Sequence, residues 1–81
     1  MKPRVTLYTR EGCCLCDTAK SVLAAARHRA DFDYEEFDID RDPDLRVLYN
    51  DEVPVICINR TKAFKYCVEL EQFLKKLAGR T

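Results

Sequence analysis

The sequence predicts an α/β fold of order β-α-β-α-β-β-α, a four-stranded mixed sheet flanked by helices, and three observations carry that prediction. Short runs of β-branched and aromatic residues alternate with stretches whose apolar positions recur every three or four residues. The 81 residues leave room for a single domain, 1–81, and one core. Three of the five cysteines cluster at the junction of the first strand-like run and the first helical one.

Arg4-Val5-Thr6-Leu7-Tyr8-Thr9 mixes β-branched and aromatic residues in partial alternation and is bounded by the turn signal Arg10-Glu11-Gly12, so it reads as the first strand. From Leu15 onward, Leu15, Ala19, Val22, Leu23 and Ala26 mark the one buried stripe of a helix that begins at the cysteines. Tyr34, Phe37 and Ile39 stand among acids as a second strand ending near residues 38–40. Asp42-Pro43 then supplies an N-cap followed by proline at the first helical position. Leu45, Leu48 and Tyr49 are expected to be the apolar side of that short helix. Pro54 opens Val55-Ile56-Cys57-Ile58, a run suited to a strand buried on both faces.

Asn59-Arg60-Thr61 reads as a tight hairpin connection to a last strand at Ala63-Phe64-Lys65-Tyr66. The final helix carries Leu70, Phe73, Leu74 and Leu77 on one face. Glu69 and Glu71 come early, Lys75 and Lys76 late, and Gly79 is the stop, in keeping with the helix dipole and capping preferences. A right-handed β-α-β crossover makes the first two strands parallel, and the closing hairpin is antiparallel, hence a mixed sheet. Phe32, Tyr34, Phe37, Phe64 and Phe73 are assigned to core faces, as is Cys57.

Composition narrows the function classes. The chain is 47% hydrophobic and 35% charged, with 14 basic and 14 acidic residues, an ordinary globular balance. Zero net charge gives no electrostatic case for nucleic acid or an anionic membrane, and no apolar run approaches the length of a membrane span. The acids of residues 31–44 read as a solvated edge. His28, between Arg27 and Arg29, is explained by a solvated helix end. The expected protein is a monomer in the cytoplasm, or in the mitochondrion if a transit peptide precedes this sequence.

The cysteines carry the chemistry. Cys13 falls at or just before the first turn of a helix, where unpaired backbone N–H groups and the positive dipole end stabilise a thiolate over a thiol. It is the expected nucleophile. Cys16 follows three residues later on the same side of the helix, placed to attack a mixed disulfide formed at Cys13 and release the reduced substrate. Cys14 lies on a different face and is set aside as a bystander. Gly12 permits the sharp strand-to-helix turn.

Tyr8-Thr9-Arg10-Glu11-Gly12-Cys13-Cys14-Leu15-Cys16, the Val53-Pro54 pair and the amphipathic last helix resemble the glutaredoxins of the thioredoxin-fold superfamily, and the resemblance covers essentially the whole chain. The G-C-x-L-C form, the Asp38-Ile39-Asp40-Arg41-Asp42-Pro43-Asp44-Leu45 run and Tyr49 followed by Val53-Pro54-Val55 are closest to small glutaredoxin-like proteins of the DUF836 type. The resemblance implies a thioredoxin-like fold, a cis Val53–Pro54 bond, and a loop that faces Cys13 and holds a bound disulfide by its backbone. It also implies that Arg10, Val53-Pro54 and Cys67 belong to the substrate site. Glutathione then enters as reductant or co-substrate, with no bound cofactor. In the glutaredoxins a glycine pair precedes the position of Cys67. Here Lys65-Tyr66 stands in its place, with Val68-Glu69 after the cysteine and Glu52 where threonine would precede Val53.

The leading function is thiol–disulfide exchange on a disulfide-containing protein or a glutathione mixed disulfide. Two other classes compete. Cys13, Cys14, Cys16 and Cys67 offer thiolates to zinc or an iron–sulfur cluster, although C-C-x-C is cramped for tetrahedral closure and no histidine is near. A thioredoxin-fold interaction module with incidental thiols is the other, docking through the acidic edge or the Tyr66 region.

Overall fold

A computed structural model describes residues 2–50 and 52–79. Met1 at the head of the opening segment, and Arg80 and Thr81 after the last helix, lie outside the described residues, as does Asp51. The elements run β1 (Arg4–Thr9), α1 (Cys14–Arg27), β2 (Asp33–Asp38), a 3₁₀ turn (Ile39–Arg41), α2 (Pro43–Tyr49), β3 (Val55–Ile58), β4 (Thr61–Lys65) and α3 (Leu70–Gly79). The predicted order is the observed one. The sheet is arranged β2-β1-β3-β4, with β1 parallel to β2 and antiparallel to β3, and β3 antiparallel to β4.

Strand alternation sorts the residues of β1 onto two faces. Val5 and Leu7, with Ile56 and Ile58 of β3, face Ala19, Leu23 and Ala26 of α1 and Phe73 and Leu77 of α3, all buried in one core. Phe73 sits at its centre, edge-on to Phe32 with centroids 5.7 Å apart and tilted against Phe64 at 6.3 Å. On the opposite face, Tyr8 is stacked between Phe37 at 5.9 Å and Tyr49 of α2 at 4.6 Å. Helices thus cover both faces, and β1 lies in the interior of the sheet with its C-terminal end leading into the cysteines.

Four expectations need correction. Leu15, expected to open the buried stripe of α1, is 49% exposed, and Cys16, one residue on and three before Ala19, lies on the buried side instead. Helix α2 buries no residue, and Leu48, expected on its apolar side, is 60% exposed. Leu45 and Tyr49, one turn apart, set the sheet-facing direction, and Leu48 falls about 80° away from it at 100° per residue. Phe37 is 42% exposed rather than core, because β2 is an edge strand and Tyr8 flanks it on one side alone. The hairpin is tighter than expected: Asn59 and Arg60, at φ 51° and 70°, form a two-residue turn of the primed type, so β4 starts at Thr61 instead of Ala63. Asn59 suits the first position because its Oδ1 accepts the Arg4 N–H at 2.9 Å while its own N–H donates to Arg4 O at 2.8 Å. The last strand ends at Lys65, since Tyr66 turns to φ 69°.

Candidate active site

The end of β1 and the start of α1 are joined by four residues, Arg10 to Cys13. Gly12, at φ 79°, takes the left-handed conformation that turns the chain, and the Cys13 N–H donates to Arg10 O at 3.4 Å. Cys13 is the N-cap of α1. Its sulfur accepts the Cys16 N–H at 3.2 Å, and its carbonyl receives the Asp17 N–H at 3.1 Å. One orphan donor of the first turn is therefore aimed at sulfur, at the positive end of a 14-residue helix.

The helical spacing separates the three thiols by depth. Cys13 is half-buried, Cys14 is exposed, and Cys16 is fully buried beneath the first turn. Burial pushes the Cys16 thiol up, and the neighbouring Cys13 adds to this, while the Thr9 side chain and the Arg10 backbone oppose it. A sulfur at the surface and a protonated one behind it is the arrangement a nucleophile and a resolving thiol require. All five cysteines are free.

The Val53-Pro54 loop arrives from the other side. The peptide between these residues is cis, as the sequence resemblance implies. Antiparallel pairing sets Tyr8 opposite Val55, so the loop precedes β3 at the same end of the sheet from which β1 leads into the cysteines. The loop thus borders the cysteine turn. Pro54 O accepts the Tyr66 N–H at 3.0 Å, fixing the residue that replaces a glycine; Tyr66 takes the positive φ glycine adopts readily and leaves its ring 45% exposed. Cys67 follows, exposed, with its N–H on Lys65 O at 2.8 Å.

Arg10 is committed within the chain. Its Nε and Nη2 grip both Asp40 carboxylate oxygens at 3.0–3.2 Å, Nη2 also donates to Asn50 Oδ1 at 2.6 Å, and Nη1 to Asn50 O at 3.2 Å. The guanidinium ties the cysteine turn to the 3₁₀ turn and the end of α2. Asp40 and Asn50 were not legible as site residues, because nothing in their local sequence signals a bond 30 or 40 residues away. A cleft of about 610 Å³ opens on the β2 side of this turn, where Arg10, Lys20 and Arg41 meet Glu11, Glu36, Asp38 and Asp42. Among the described residues no three His, Cys, Asp or Glu side chains are placed to share a metal ion.

The family model of the glutaredoxin-like domain (DUF836) matches residues 4–78. The chain belongs to this family. Among solved structures, this glutaredoxin-like chain is similar to protein XcR50 of X. campestris, at 31% identity over 93% of this chain and 96% of that one, TM-score 0.77. It is similar also to protein Ne2328 of Nitrosomonas europaea, at 27% identity over 94% and 92%, TM-score 0.80. Fasciola hepatica thioredoxin, at 14% identity over 99% and 83% with TM-score 0.65, shares the fold. No curated protein matches the chain. The fold of this glutaredoxin-like domain is thioredoxin-like, and among the described residues no helix is long and apolar enough to cross a membrane.

Burial gives this domain an alkaline limit. Cys16 and Cys57 are pushed above the ordinary thiol value of 9.0, and Tyr8, Tyr34 and Tyr49 above the phenol value of 10.0, in each case chiefly by desolvation. The unfolded chain ionises these groups first. Their stabilising effect is complete below about pH 9 and is lost as pH rises through the folded-state values. In reducing buffer, the urea midpoint should hold steady up to about pH 9 and fall above it. A midpoint unchanged at about pH 11 would contradict the burial of these groups.

Proposed function

We propose that this domain is a thiol–disulfide oxidoreductase and electron carrier that reduces disulfides in proteins, with Cys13 as nucleophile and Cys16 as resolving thiol. The Cys13 thiolate attacks one sulfur of the substrate disulfide, forming a Cys13–substrate disulfide and releasing the other sulfur as a thiolate. Cys16 then loses its proton and attacks the Cys13 sulfur. The Cys13–Cys16 bond forms, the second substrate sulfur leaves, and solvent protons complete two substrate thiols. The dithiol is oxidised by two electrons and the substrate reduced by two; a cellular thiol, glutathione or a dithiol protein, returns the pair to the reduced state. A reducing compartment such as the cytoplasm suits five free cysteines.

The observation that carries this reading is the Cys16 N–H to Cys13 Sγ contact at 3.2 Å, with the first sulfur reachable and the second buried one turn behind it. Protein disulfides are favoured over glutathione by what surrounds the pair. Glutathione brings two carboxylates and one ammonium. Arg10 is already bound to Asp40 and Asn50, Lys65 pairs with Glu52 at 3.5 Å, and in the adjacent cleft four carboxylates face three cations. Tyr66 and Leu15, each about half exposed, instead offer apolar contact to a folded or extended polypeptide.

A two-substrate assay tests this. The wild type should reduce a protein disulfide at least about tenfold faster than a small glutathione mixed disulfide, when each is measured against its own uncatalysed rate. Equal or faster turnover of the glutathione substrate would overturn the substrate assignment. Absence of turnover with both would end the exchange reading and leave a binding module.

A further inference from the structure

Strand β1 buries two threonines, and they differ in one respect. Thr6, 7% exposed, donates its hydroxyl to Glu35 Oε1 at 3.0 Å. Thr9, 5% exposed, has the sole buried side-chain oxygen without a hydrogen-bond partner among the described residues. Asp38 lies opposite it on β2, but that carboxylate receives the Asp40 N–H at 2.9 Å and stands 4.0 Å from Arg41. An orphaned hydroxyl in a core is a cost that valine, of the same shape, would remove. Threonine is therefore poorly explained by packing.

Its surroundings suggest what it serves. Thr9 lies on the core-facing side of β1, on the same face as Val5 and Leu7 and at the strand end that leads into the cysteine turn, and Cys16 is the one buried sulfur of that turn. The hydroxyl has no partner of ordinary hydrogen-bond geometry, and the Thr9 side chain and Arg10 backbone act on Cys16 in the sense that favours its charged form. We propose that Thr9 is a catalytic residue of the resolving step, whose hydroxyl acquires its hydrogen-bond acceptor only when Cys16 becomes a thiolate. The inference rests on the exchange reading given above. During resolution the Cys16 proton passes to solvent and the new negative charge receives the Thr9 O–H together with the Arg10 N–H. It then flows into the Cys13–Cys16 bond as the substrate sulfur departs with its electron pair. Cys13, joined to substrate at that stage, carries no charge, so the Thr9 and Arg10 donors are what offsets the desolvation of Cys16.

The test separates the two chemical steps. In a Cys14→Ser/Cys67→Ser background, reaction with 5,5′-dithiobis(2-nitrobenzoate) releases one aromatic thiolate on attack by Cys13 and a second on resolution by Cys16. Thr9→Val should leave the first phase unchanged and slow the second about tenfold near neutral pH, with its pH midpoint moved up by about one unit. Thr9→Ser should restore both, and the thermal midpoint of reduced Thr9→Val should not fall. If valine disturbs folding by circular dichroism, Thr9→Ala carries the same expectation for the second phase. A second phase within about twofold of the parent and an unmoved pH midpoint would overturn the assignment. If the parent background itself shows no second phase, the exchange reading fails first and the role of Thr9 with it.

Discussion

Cys16→Ser should turn exchange into a trap. The serine hydroxyl cannot attack a disulfide, so the Cys13–substrate adduct formed in the first step persists until an external thiol displaces it. Intramolecular resolution enjoys a high effective concentration, because Cys16 sits one helical turn beneath Cys13 with its N–H 3.2 Å from the reacting sulfur. Turnover on a protein disulfide should therefore drop by on the order of a hundredfold or more, while the adduct accumulates to nearly one per chain. Cys14 does not substitute for the lost thiol; it is exposed on another face of α1. Mass spectrometry under non-reducing conditions should find the adduct on the Cys13 peptide. Cys13→Ser, by contrast, should form no adduct there and retain no turnover. Wild-type rates in Cys16→Ser would mean that the second cysteine has no part in the chemistry.

Phe73→Ala should cost the most stability. The ring is wholly buried, meets Phe32 edge-on at 5.7 Å and Phe64 at 6.3 Å, and joins α3 to the sheet. Removing it forfeits its transfer energy and leaves a cavity walled by two other rings, about 3–5 kcal/mol in comparable cores. A domain of this size is stabilised by about 5–15 kcal/mol in total, so most of the margin goes. Chemical denaturation should show the loss as a midpoint shift with little change in slope. A loss below about 1 kcal/mol would mean that α3 is not held by this residue.

Local signals were enough for most of the fold. The period of Ala19, Leu23 and Ala26, the Asp42-Pro43 helix start and the four apolar residues of β3 all reflect short-range physics that tertiary contacts then reinforce. Where reading failed, a long-range partner decided the outcome. Leu48 looks as apolar as Leu45, but the stack of Tyr49 on Tyr8 fixes which side of α2 meets the sheet. Phe37 has the pattern of a core residue and lies on an edge strand, a fact of strand order rather than of sequence.

The site divides in the same way. Cys13, Cys16 and Gly12 are legible together because four consecutive residues and one turn bring their chemistry into place. Arg10 is legible as a basic residue near the thiols, but not as one held by Asp40 and Asn50, since those contacts span 30 and 40 residues. Thr9 reads as one more β-branched strand residue until its unpartnered hydroxyl and its proximity to Cys16 are seen together. Tyr66 in a glycine conformation is similarly invisible without the Pro54 contact that holds it.

The pairing of Cys13 with Cys16 is the centre of this account, and peptide mapping after one stoichiometric oxidation tests it most directly. The fully reduced chain, mixed with one equivalent of a protein disulfide and quenched by alkylation, should yield a Cys13–Cys16 disulfide and two new substrate thiols, with Cys14, Cys57 and Cys67 recovered as free thiols. Oxidation found instead at Cys14 or Cys67, or a substrate reduced while Cys13 and Cys16 remain free, would contradict it.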